Sequence, residues 1–205
     1  MTDLTSKSAE GSAPVRGTIT LARHGEPALS RKIRLNGDEY REWWGRYEVG
    51  GLLPGQTVPD DLQDIARRSH VAFTSARRRA IESATLVLGE GAFTVDQVFI
   101  EAPLPPPPLP PFVRLNPRIW GFISRFCWWY FRYKEADEET RNQAAERAKL
   151  AADLLEAPAQ EGKNVLLVAH GFFNTMIAIE LKNRGWKKVA GRGWRYWNTR
   201  AFTRD

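Results

Sequence analysis

The chain has 205 residues, 42% of them hydrophobic, enough for one sizeable core. Its one cysteine, Cys127, excludes an internal disulfide, and no Cys and His cluster at ligand spacing indicates a structural zinc, so a reducing, cytoplasmic setting is expected. A formal charge of +6 favours anionic partners without choosing among phosphorylated small molecules, anionic lipid headgroups and nucleic acid.

Residues 1–16 are Ser, Thr, Ala and charge without an apolar core, which predicts a disordered tail ahead of a single domain over 17–205. The run 18–22 reads as a buried strand that stops at Arg23-His24-Gly25. Residues 38–47 predict a helix carrying Trp43 and Trp44, and Pro59-Asp60-Asp61 marks another helix start, with acids in its first turn. A second strand is predicted over 71–74. It precedes Ser75 and a helical pattern in which Ala76, Ala80, Ile81, Ala84, Val87 and Leu88 share a face, closed by Gly89.

Residues 93–100 predict a further strand that runs into Glu101 and a proline-rich stretch at 103–111, read as a rigid connector. Asn116-Pro117 predicts the cap of an aromatic helix reaching about Tyr133, and Ala144, Ala148, Ala151 and Leu155 mark the face of a later one. Residues 164–169 then lead as a strand into His170-Gly171 and a helical stretch over 172–181. The richest apolar stretch, 119–131, is too short to cross a bilayer and is interrupted by Arg125. Strands alternating with helices predict an α/β three-layer sandwich with a mostly parallel central sheet flanked by helices, its ligands beyond the carboxyl ends of the strands.

Two of the three histidines, His24 and His170, fall at such ends, each after an apolar run and before a glycine. Packing alone does not require that coincidence, whereas a glycine lets the backbone approach a bound anion. A helix opening at His170-Gly171 would favour phosphate as well. His70 lacks this context and reads as structural.

With these residues in view, the chain resembles the histidine phosphatase superfamily, the group of cofactor-dependent phosphoglycerate mutases and many phosphatases. The resemblance rests on Leu21-Ala22-Arg23-His24-Gly25-Glu26, on the segment from Thr74 to Ala84 framed by Ser75, Arg79-Ala80 and Ser83-Ala84, and on Val168-Ala169-His170-Gly171. It implies that His24 is the nucleophile, forming a phosphohistidine, and that Arg79 rather than Arg77 or Arg78 faces the site. A neutral imidazole attacks phosphorus without an activating base, and the covalent intermediate divides one hard displacement into two easier ones. Arg23, Arg79 and His170 are expected to bind the phosphate as positive donors, with no metal and no cofactor required.

The resemblance also implies a carboxylic acid between the second and third motifs that protonates the leaving group. Glu101, at a strand end with stiff backbone behind it, is the choice, and Glu26 beside the nucleophile is the rival. Mutases of the superfamily continue after their glutamate with arginines and a Tyr-Gly pair, whereas Glu101 is followed by Ala102-Pro103. Hydrolysis of phosphomonoesters is therefore expected ahead of mutase activity, with a phosphate-pocket binding protein as the alternative of a different class. The expected partner is a small phosphorylated substrate. Nucleic acid is not expected, and contact with a membrane surface ranks below the small substrate.

The aromatic residues Trp120, Phe122, Phe126, Trp128, Trp129, Tyr130 and Phe131, interleaved with Arg118, Arg125 and Arg132, admit three uses: a core helix, an apolar cover over the site, or an interfacial surface.

Overall fold

Six strands form the central sheet: β1 (Ile19–Arg23), β2 (Val71–Ser75), β3 (Thr94–Asp96), β4 (Val165–Ala169), β5 (Lys187–Ala190) and β6 (Thr199–Thr203). The helices are α1 (Gly37–Val49), α2 (Asp60–Arg68), α3 (Arg78–Leu88), α4 (Pro117–Tyr130), α5 (Arg141–Gln160) and α6 (Phe173–Asn183). The structure is a computed structural model that describes residues 16–135, 138–191 and 193–204; the tail expected over 1–16 lies, apart from Arg16, outside the described residues.

The strand order is β3-β2-β4-β1-β6-β5. The first four strands are parallel, β6 runs antiparallel to β1, and β5 runs antiparallel to β6. Alternate residues face opposite layers. Ile19, Leu21, Val165, Leu167 and Ala169 pack with the alanine face of α5 and with Phe173, Ile177 and Leu181 of α6. Ala22, Leu166 and Val168 pack with Leu62 and Ala66 of α2 and Ala84 of α3. All of β4 is buried, which is why it reads as an unbroken apolar run rather than an alternating one. The sandwich expected from the sequence is the one observed.

A third cluster, Tyr40, Trp43, Tyr47 and Trp120, ties α1 to α4. Both helices are begun by side-chain caps. Asn36 accepts from the backbone N–H of Glu39 while the Glu39 carboxylate accepts from that of Asn36, and Asn116 accepts from the N–H groups of Arg118 and Ile119 ahead of Pro117.

Three expectations change. The strand expected over 93–100 has only three residues, because the Asp96 side chain accepts from the Val98 N–H at 2.8 Å and turns the chain into a 3-10 turn over Gln97–Phe99. The aromatic helix ends at Tyr130 rather than Tyr133, two residues before Arg132 takes φ of 53°, a left-handed conformation that cannot continue it. The β5–β6 hairpin was not foreseen. Its residues are largely exposed or half-buried, with Phe202 as the one fully buried anchor, so no apolar run announces it. Among the described residues, no helix is long and apolar enough to cross a membrane.

Candidate active site

β1 and β4 pair in parallel with Arg23 opposite Ala169, and the His24 N–H continues the ladder to the Ala169 carbonyl at 2.9 Å. The next residues, His24 and His170, therefore leave adjacent strands side by side. Their rings lie 5.2 Å apart, inclined at 64°.

His24 is buried, and its Nδ1 is 2.7 Å from the Gly25 carbonyl. A carbonyl only accepts, so Nδ1 carries the proton and the Nε2 lone pair is left for chemistry. Burial pushes the His24 imidazole well below the ordinary histidine range, and the charges of Arg79 and Arg23 push it the same way. It is a neutral imidazole at pH 7. Gly25 has a packing cause here: a Cβ at this position would overlap the Trp197 ring and lie 2.9 Å from Gln56 Oε1. Its N–H donates to Ser83 Oγ at 2.9 Å.

His170 is fixed in the complementary tautomer. Arg79 Nη2 lies 3.4 Å from its Nδ1, and since a guanidinium only donates, Nε2 carries the proton and donates to Ser75 Oγ at 2.8 Å. Burial, then Arg79, then His24 hold this ring well below the usual range. The expectation of a positively charged His170 is corrected accordingly: it is a neutral ring that joins Ser75 to Arg79.

Arg79, Ala80, Ser83 and Ala84 form the buried face of α3, and Ser75, at the end of β2, is buried as well. Arg79 is fully buried, with Nη1 donating to the Tyr47 and Glu48 carbonyls at 2.9 and 3.2 Å and Nη2 donating to Glu48 Oε1 at 2.8 Å. The Tyr47 ring covers it at 4.5 Å. Arg78 is exposed and pairs with Glu82, whereas Arg77 pairs with Glu48 at 2.6 Å.

Arg23 completes the site. Its Nη1 donates to the Trp194 carbonyl, and its guanidinium lies 4.5 Å over the Tyr196 ring. Gly171 leaves room for it, since a Cβ there would stand 3.3 Å from Arg23 Nε. Arg23 Nε, Arg79 Nε and Tyr196 Oη are buried and have no hydrogen-bond partner among the described residues. The Tyr196 ring is 5.8 Å from that of His24. Two arginines whose charges act on His24, and a phenol whose ring is 5.8 Å from it, thus bring buried, unsatisfied donors near a neutral imidazole.

Glu101 is buried beside this group, and Glu26 is exposed. Glu101 Oε1 accepts from the Phe173 N–H at 2.8 Å, whereas Oε2 has a longer contact, 3.3 Å, with the Phe172 N–H. The amino end of α6, expected to favour phosphate, therefore holds a carboxylate. Glu101 is close enough for its charge to act on Arg23.

Sequence reasoning missed Tyr47, Glu48 and Tyr196. Glu48 reaches Arg79 across 31 positions of chain, and Tyr196 arrives on the unforeseen hairpin, so neither leaves a local pattern.

A profile of the histidine phosphatase superfamily (branch 1) matches residues 19–199. The chain belongs to this superfamily. Its members include phosphatases and mutases, and a phosphohistidine is general to them. No curated protein matches the chain. Among solved structures, an open reading frame product of Mycobacterium tuberculosis is 18% identical, with 90% of each chain covered and a TM-score of 0.57. A mycobacterial glucosyl-3-phosphoglycerate phosphatase is 20% identical over 81% of this chain and 79% of that one, with a TM-score of 0.53. A phosphoglycerate mutase from Bacillus anthracis is 16% identical over 94% and 93%, with a TM-score of 0.52. At these identities the likeness shows the superfamily fold.

The two buried histidines make stability depend on pH. Their folded pKa values lie below the unfolded value of about 6.5, so the unfolded chain binds more protons and stability rises with pH. The stabilisation is fully present above that value and is lost as pH falls below it. Each histidine contributes a slope of up to about 1.4 kcal/mol per pH unit. Urea unfolding midpoints are expected to fall from pH 7.5 to 5.5, and a double variant, His24→Gln with His170→Gln, to lose most of that dependence.

Proposed function

We propose that the chain is a phosphomonoesterase that forms a phosphohistidine on His24, with Glu101 as proton donor. The observation that carries this reading is the His24 tautomer: Nδ1–H is held by the Gly25 carbonyl, and the Nε2 lone pair is free beside buried arginines. In the first step Nε2 attacks phosphorus, the ester P–O bond breaks, and the proton of the Glu101 carboxylic acid passes to the departing oxygen. In the second, the Glu101 carboxylate takes a proton from water as the water oxygen attacks phosphorus and the P–N bond breaks. The products are an alcohol and inorganic phosphate.

Arg23, Arg79 and the Tyr196 hydroxyl meet the equatorial oxygens during both transfers. His170 holds Arg79 in place through its acceptor nitrogen. The sequence after Glu101, Ala102-Pro103 with Ala102 buried, supports water over a second phosphate acceptor. The expected substrate is a small phosphorylated molecule.

Rapid alkaline quenching during turnover of a 32P-labelled ester, with EDTA present, is expected to leave label on the peptide containing His24. Turnover without labelled protein, or label retained on another peptide, would overturn the reading.

A further inference from the structure

A cavity of about 550 Å³ lies between α1 and α4 and opens beside Arg23 and Gly171. Its volume is that of a site for a mid-sized organic molecule. Trp43 and Trp44 of α1, Phe122, Phe126 and Trp129 of α4, and Phe172 after β4 line it. Along α4 the lining residues Arg118, Phe122, Arg125 and Trp129 recur at intervals of four, three and four, one stripe of the helix turned toward the cavity. The aromatic segment is thus divided: Trp120 and Trp128 are core, and the stripe between them is a wall of the site's approach.

The charge of this wall is one-sided. Arg23, Arg31, Arg118 and Arg125 line the cavity, and among the described residues no Asp or Glu does. Arg125 stands 5.5 Å over the Phe172 ring and donates Nη1 to the Gly121 carbonyl, while its buried Nε has no partner among the described residues. Arg118 is exposed and has no carboxylate partner among them. Two turns of α4 put Arg118 and Arg125 about 10 Å apart along the axis.

We propose that this cavity receives the leaving group, and that the enzyme's substrates are phosphomonoesters with a flat apolar body carrying a second anionic group. The inference rests on the phosphatase reading. The phosphate sits at His24, the apolar body lies between the α1 and α4 rings beneath Arg125, and the second anion meets Arg118. A glycerol or sugar phosphate would leave the aromatic walls without a partner.

The test compares three esters whose leaving alcohols are matched in acidity: ethyl phosphate, 2-naphthylethyl phosphate, and the latter bearing a ring carboxylate. Expected kcat/KM rises about tenfold from the first to the second, and roughly fivefold more to the third. Trp129→Ala removes the first increment and Arg118→Met, at an exposed position, the second. Ile119→Ser, on the outer face of α4, keeps both. Equal kcat/KM for all three esters overturns the inference and leaves the phosphatase reading standing. If none is hydrolysed, that reading fails instead, and tryptophan quenching by the same esters decides the cavity separately: tighter binding of the naphthyl esters upholds it, and equal binding overturns it.

Discussion

His24→Ala is expected to lower kcat for phosphomonoester hydrolysis by roughly ten-thousand-fold or more, with EDTA present throughout. The magnitude follows from the absence of a substitute within the site. His170 is the nearest other imidazole, but its Nε2–H is directed at Ser75 and its Nδ1 faces Arg79, so it presents no free lone pair. Arg23 and Arg79 remain in the variant, and binding of inorganic phosphate is expected to persist. Steady-state rates, with near-ultraviolet circular dichroism to confirm folding, check the result. Hydrolysis at the parental rate would remove His24 from the mechanism, and strict dependence on added metal would do the same.

Glu101→Gln is expected to cost between about 100-fold and 10,000-fold in kcat for esters of simple alcohols, the usual worth of a positioned general acid. With para-nitrophenyl phosphate the loss of the first step should be far smaller, because nitrophenolate departs without a proton. This dependence on the leaving group separates proton donation from a merely structural role at the head of α6, where Glu101 also bonds the Phe173 N–H. Glu26→Gln is the control. Its backbone N–H is held by Gln56 and its side chain is exposed, so little change is expected. If Glu26→Gln shows the leaving-group dependence and Glu101→Gln does not, the assignment of the acid is reversed.

What the sequence disclosed, and what it concealed, divides along the range of the interactions concerned. β1, β2 and β4 were legible because a strand covered on both faces must be apolar throughout, and the loaded residues at their ends interrupt that run. The face of α3 was legible because Ala80, Ile81, Ala84, Val87 and Leu88 recur at helical spacing. The hairpin β5–β6 lies at the sheet edge, its strand residues exposed or half-buried apart from Phe202, so Lys187, Lys188, Thr199 and Arg200 carry no burial signal. Glu48 illustrates the same limit within the site. It belongs to the tail of an ordinary amphipathic helix, and its bonds to Arg77 and Arg79 exist only once α1 docks on α3. The change of His170 from charged donor to neutral connector depended on burial and on its neighbours' charges, neither of which a motif contains.

Because His24 and His170 extend adjacent, hydrogen-bonded strands in register, the distance between their rings, 5.2 Å, is close to the spacing of the strands themselves, about 4.8 Å. The separation of the two rings thus follows a backbone dimension. Replacing side chains in the surrounding helices alters the charge around the two rings but leaves that gauge unchanged, and a descendant that exchanged one ring for another residue would inherit strand ends of the same spacing.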